Sequence, residues 1–179
     1  MRRLASIGLV LFATFLALIP FSTPKITFKP TPPTEASIRA DMRREKLQRQ
    51  YDLAENQADH VFHRVGCSTE FSEAVAHAAV NNHVPVRVLA GVVYVESTCR
   101  ANVVSYRDAV GLTQVNPKIW HYTKTDLLNP YFNTELGARI LSAYIRRHGL
   151  REGLHHYNGL GNPSNEYSEK VLRAAGYNT

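Results

Sequence analysis

Glu96 is the residue of this chain best placed to do chemistry. It closes a run, residues 84–95, that is apolar at nearly every position and so belongs inside the protein. A carboxyl group carried to the rim of a dry interior loses hydration in its charged form. At the end of a helix it also meets the negative end of the helix dipole, and both effects raise its pKa. A glutamic acid that keeps its proton near neutral pH can hand it to a leaving oxygen, the step that cleavage of a glycosidic bond needs most. Arg100 pulls the other way. The bland alternative is a glutamate that merely ends a helix at the surface.

Two other groups compete for attention. Asp108 is a second carboxylate on the same stretch, and if it reached the far side of a bound sugar it could activate water, making a two-carboxylate hydrolase of the lysozyme type. His60 with His63, and His155 with His156, raise the thought of a metal-dependent hydrolase. The first pair lies in a polar helical segment and adjacent histidines diverge on a helix, so surface or core roles are the better reading. No metal and no cofactor is expected.

The residues around Glu96 form a longer pattern. Glu96-Ser97, Ser105, Gly111-Leu112-Thr113-Gln114-Val115 and Pro117 are followed by Asn129-Pro130, Asn133, Gly137-Ala138 and Tyr144. Tyr157-Asn158-Gly159, Gly161 and Tyr167-Ser168-Glu169-Lys170-Val171 complete it. This order resembles that of lytic transglycosylases with an SLT, or goose-type-lysozyme-like, domain, and it covers roughly residues 67–179. The resemblance implies that Glu96 is the sole catalytic acid/base, and that Ser105, Gln114, Tyr157 and Asn158 line a cleft and orient the sugar, its N-acetyl group or Glu96 itself; Ser97 is counted with these substrate-binding residues, with a cap at the helix end as its competing role. It also implies that peptidoglycan glycan strands are cut between N-acetylmuramic acid and N-acetylglucosamine, leaving 1,6-anhydro ends. A rival from another class is a wall-binding assembly protein that kept the fold and lost the activity.

Some positions depart from the family pattern. Cys99 stands where an aromatic residue is more usual, Val103 where a small one is, and Thr113 where Met is common; Asp108-Ala109 replaces a Gly-Ala pair. Asp108 with Gly111, Gln114, Val115 and Asn116 looks like the variant in small transglycosylases of secretion and conjugation systems. Wall remodelling, a secretion or conjugation machine, and phage entry or lysis are the settings expected for such a domain.

The elements that must position these residues follow from pattern. Residues 1–23 begin Met1-Arg2-Arg3 and continue as an apolar stretch, a signal peptide or, preferably, a retained signal anchor because no clean small-x-small site follows. The arginines keep the N-terminus in the cytoplasm and send the rest across, to the periplasmic side of the inner membrane or beyond. Residues 24–33 hold Pro24, Pro30, Pro32 and Pro33 and form an extended linker. Residues 34–65 read as a helical stalk with one narrow apolar stripe, Leu47, Tyr51, Ala54, Ala58, Val61 and Val65. That stripe could pack on the domain, stay solvated or self-associate.

Residues 66–179 form the catalytic domain, all-α (α+β at most) and lysozyme-like, with a small loop or β insertion between residues 100 and 116. The expected helices lie near residues 71–82, 84–97, 117–122, 130–149 and 150–157, with a closing one from Pro163. Trp120 is assigned to core packing. Of the formal charge of +6, residues 1–33 contribute four Lys or Arg and no acid, while the domain carries eleven basic against nine acidic residues. No basic stripe with interleaved aromatics is present, which argues against nucleic acid, and the mild positive balance suits an anionic wall polymer. Cys67 and Cys99 are the only cysteines, and export would let them pair.

Overall fold

The structure, a computed structural model, describes residues 32–159 and 165–178. The N-terminal stretch expected to be an anchor or signal, nearly all of the proline linker, Gly161 and Pro163 lie outside the described residues. No helix among the described residues is long and apolar enough to cross a membrane.

The helix at the centre, α3 (Val86–Ser97), is apolar on nearly every side because it is enclosed on nearly every side: Val88, Leu89, Ala90, Val92 and Val93 are fully buried. Around it pack α1 (Glu35–Val65), α2 (Ser72–Asn82) and α8 (Glu166–Ala174), with α6 (Pro130–His148) and α7 (Leu150–Asn158) closing the body. Removing one such side chain, as in Leu89→Ala, costs about 2–5 kcal/mol in a core of this kind. Gly91 serves close packing, since a Cβ there would come within 2.7 Å of the Val171 carbonyl of α8.

The element ends follow local chemistry. Gly66, at φ +75°, terminates α1, and a 3-10 turn at Thr69–Phe71 leads into α2. His83, rather than Asn82, takes the left-handed position that stops α2. Pro85 then stands at the N-cap of α3. Asn129 accepts a hydrogen bond from the Phe132 amide and Pro130 opens α6, which ends at Gly149.

The long helix α1 behaves differently along its length. Ala54, Ala58, Val61 and Phe62 are buried against the domain, whereas Leu47 is 44% exposed and the turns before it lie in solvent. Packing on the domain therefore holds for the second half of the stalk, with Phe62 joining the stripe. At the other end of the helix, Arg64 donates to the Ala174 carbonyl, and Arg87 of α3 to that of Gly176 at 3.0 Å, fastening the C-terminal end of α8.

Between α3 and α6 the chain is irregular, with isolated antiparallel bridges Val104–Val110 and Val110–Val115 and two short helices, α4 (Pro117–Trp120) and α5 (Lys124–Leu127). The small insertion is thus a knot of turns. Val110, Val115, Leu127, Leu136 and Ile140 form a second, smaller apolar cluster beneath it.

Candidate active site

Glu96 sits in the last turn of α3, so the apolar body of that helix carries its carboxyl group to the floor of a groove of about 590 Å³. Just past it the backbone reverses through two left-handed residues, Thr98 (φ 51°) and Cys99 (φ 59°). This costly conformation for residues with a Cβ is held by the Thr98 amide on the Tyr94 carbonyl and by the Cys67–Cys99 disulfide. The expected pairing of the two cysteines thus ties the entrance of the domain to the end of the Glu96 helix.

Burial pushes the Glu96 carboxyl up to about 7, and a hydrogen bond from Tyr167 pulls it back somewhat. The Tyr167 hydroxyl donates to Glu96 Oε1 at 2.6 Å. Arg100 does not counter the burial, since its Nε–H donates to the Ser97 carbonyl at 3.2 Å. Tyr167 is the functional neighbour that sequence reasoning left out of the site. Its signal was present in Tyr167-Ser168-Glu169-Lys170-Val171, but no spacing rule joins residue 167 to residue 96.

One wall of the groove is built on the turn from Gly111 to Gln114. Asn133, fully buried on α6, donates through Nδ2 to the carbonyls of Val110 and Leu127, both at 2.9 Å. Its Oδ1 accepts from the Thr113 amide and hydroxyl, both at 2.8 Å. All four hydrogen-bonding positions of one amide are thereby used to hold the turn. Gly111 adopts φ +79° with Asn133 in the space a side chain would need, and a Cβ on Gly137 would lie 2.3 Å from the Thr113 hydroxyl. Thr113 thus uses its hydroxyl where a purely apolar side chain would leave Asn133 short of a donor.

Most of the expected cleft residues come together on this groove. Gln114, itself left-handed at φ 49°, donates its amide nitrogen to the carbonyls of Gly111 (2.9 Å) and Val103 (3.3 Å), which leaves its side-chain oxygen for a ligand donor. Ser105 Oγ accepts from the Ala109 amide at 3.0 Å and keeps its own proton to donate. Tyr157 donates to the Thr113 carbonyl at 2.8 Å, and its phenol is pushed above the ordinary range by burial and then by the Glu96 charge. Asn158 lines the groove as an exposed side chain.

Two expectations are corrected, and the rival carboxylate is placed. Ser97 does not line the groove: it is buried, and its hydroxyl donates back to the Val93 carbonyl at 2.9 Å, because the α3 end packs inward on that side. Trp120 is no core residue; it is 38% exposed and lines the groove with Ile119, since α4 is too short to turn its outer face under the domain. Asp108 does not face the groove either. Lys118 Nζ donates to its Oδ2 and Lys124 Nζ to its Oδ1, both at 2.8 Å, and these hydrogen bonds hold its carboxyl down at about 2. His156 lines the groove, stacked on His148 at 3.9 Å, while His155 has its Nδ1 buried without a hydrogen-bond partner.

An all-α domain with a groove at the end of its central helix is the architecture of a lysozyme-like domain. Residues 73–178 match the family model for the transglycosylase SLT domain, and the chain belongs to that family, whose members are generally lytic transglycosylases acting on peptidoglycan. No curated protein matches the chain.

Proposed function

We propose that this protein is a peptidoglycan lytic transglycosylase that cuts the β-1,4 bond between N-acetylmuramic acid and N-acetylglucosamine, with Glu96 as its single acid and base. The observation that carries this reading is that Glu96 is the only carboxyl side chain among those lining the groove. The residues outside the description contain no Asp or Glu, so none of them adds a second one.

Most glycosidases that use water employ two carboxyl groups, one on each side of the scissile bond. With one, the nucleophile has to come from the substrate. Glu96 first gives its proton to the glycosidic oxygen, and the C1–O bond breaks. The resulting carboxylate then takes the proton of the muramyl C6 hydroxyl as that oxygen bonds to C1, which closes the 1,6-anhydro ring and restores the acid. Tyr167 holds Glu96 Oε1 throughout. Ser105, Gln114, Tyr157 and Asn158 supply donors and acceptors to the sugar ring and its N-acetyl group. The two-carboxylate alternative with Asp108 loses support because both oxygens of that group are engaged by lysines away from the groove.

By the same proposal the chain works on the periplasmic side of the inner membrane, held by residues 1–23, or in exported form. Mass spectrometry of digested peptidoglycan tests the chemistry. Anhydro fragments, one water lighter than hydrolase fragments, are expected; reducing ends as sole products overturn the proposal, and no products at all would leave the inactive wall-binding protein.

A further inference from the structure

The loop at Ser105–Ala109 is unusually well fastened for something that displays so much of itself. The Ser105 amide donates to the Ala109 carbonyl (2.8 Å), the Asp108 amide to the Ser105 carbonyl (3.0 Å) and the Ala109 amide to Ser105 Oγ (3.0 Å). Asn116 Nδ2 donates to the Arg107 carbonyl at 2.9 Å, while its Oδ1 caps α4, so one side chain joins this loop to the helix bearing Ile119 and Trp120. Asp108, left-handed at φ 65°, is clamped between two lysines.

All this fixes the backbone under two side chains that touch little but each other. Tyr106 is 90% exposed, and the Arg107 guanidinium lies over its ring at 5.3 Å. Among the described residues Arg107 has no carboxylate partner, and the neighbouring Asp108 is already taken by Lys118 and Lys124. Arg107 is also the only Lys or Arg among the described groove-lining residues. A guanidinium placed over an aromatic ring, with no carboxylate of its own among the described residues, is available for planar, bidentate recognition of a carboxylate.

We propose that Arg107, supported by Tyr106, is a specificity-determining residue that reads a carboxylate carried by the muramyl units of the strand, so that acid-bearing glycan is preferred over neutral glycan. The inference rests on the proposed function. Aromatic and apolar groups such as Trp120, Ile119 and Tyr106 can stack on any sugar face, charged or not; Arg107 is what distinguishes an acidic strand. Two sources carry the shared chemistry: the stem peptides, and the lactyl group once the peptide is removed.

Initial rates on four polymers test it: intact sacculi, sacculi stripped of peptide by an amidase, and each of these after carbodiimide amidation of its carboxyl groups. For the wild type, amidation slows cleavage. Arg107→Ala slows cleavage of the acid-bearing polymers about tenfold, mainly through KM, and leaves the amidated ones unchanged. Arg107→Lys recovers part of the loss. An effect on intact sacculi alone assigns the carboxylate to the peptide, and one on stripped sacculi assigns it to the lactyl group; both support the inference. Equal loss on all four polymers, or no loss on any, overturns it while leaving the proposed function standing. A wild-type protein that releases no anhydro ends from any polymer overturns both.

Discussion

Glu96 and Asp108 are the same chemical group on one stretch of chain, and the fold drives them in opposite directions. Glu96 is placed at the end of a helix buried on nearly all sides, where water is scarce and the one group bonded to its carboxyl is a neutral hydroxyl, so its proton is retained up to about 7. Asp108 is placed on a turn between two ammonium groups, which favour its charge and keep it ionised down to about 2. Two carboxyl groups whose surroundings separate their pKa values are an acid and a permanent anion. Here the second serves the loop that carries Arg107. The difference teaches that counting carboxylates in a motif region says little until their partners are known.

The largest expected break in this comparison is Glu96→Gln, which removes the transferable proton and keeps the shape. Rates of peptidoglycan cleavage should fall by about 10²–10⁴-fold. A loss of less than tenfold would mean that another group supplies the proton.

The next effect is on stability. Because the folded-state pKa of Glu96 is raised from 4.5 to about 7, the folded protein binds more protons than the unfolded chain in that interval, and stability falls as pH rises through it. The contribution is fully present below the ordinary value and lost above about 7. Glu96→Gln should therefore gain about 3 kcal/mol relative to the wild type between about pH 4 and about pH 8. Denaturant melts of both proteins at the two pH values check this, and parallel curves would show that the carboxyl is solvated.

Tyr167→Phe sharpens the comparison without removing the acid. It deletes the one bond that holds the Glu96 pKa down, so the alkaline limb of the kcat/KM profile should move to higher pH, with kcat reduced because Glu96 loses its fixed orientation. An unmoved limb would show that Tyr167 serves packing alone.

Asp108→Asn should have the smallest effect on turnover, well under the hundredfold that loss of a general base produces. Its contribution to stability runs opposite in sign to that of Glu96: the depressed pKa stabilises the fold above the ordinary 3.8, and the benefit disappears as pH falls towards about 2. Acid melts of the variant should lack that step. A hundredfold or larger loss of rate would restore the two-carboxylate mechanism.

Much of this molecule was legible along the chain, because local physics wrote it there. A helix apolar on every side has to be buried, Asn129-Pro130 and Gly149 start and stop α6, and a glutamate at the end of a buried run has to be poor in water. The order of the motifs placed the chain in its family, and two cysteines on an expected export route predicted their own bond. Periodicity within α1, however, could not say that its stripe meets the domain only from Tyr51 onward, where that ring stacks on His77 of α2, since a stripe does not show where its partner ends. Nor could spacing show that Tyr167 bonds Glu96, that Lys118 and Lys124 capture Asp108, that Ser97 turns inward or that Trp120 stays at the groove. Those outcomes depend on which side chains from distant elements occupy the few ångströms around each group. Sequence determined the elements and singled out Glu96 as the proposed acid; only the packing of those elements decided each group's neighbours, and the neighbours set the proton affinities.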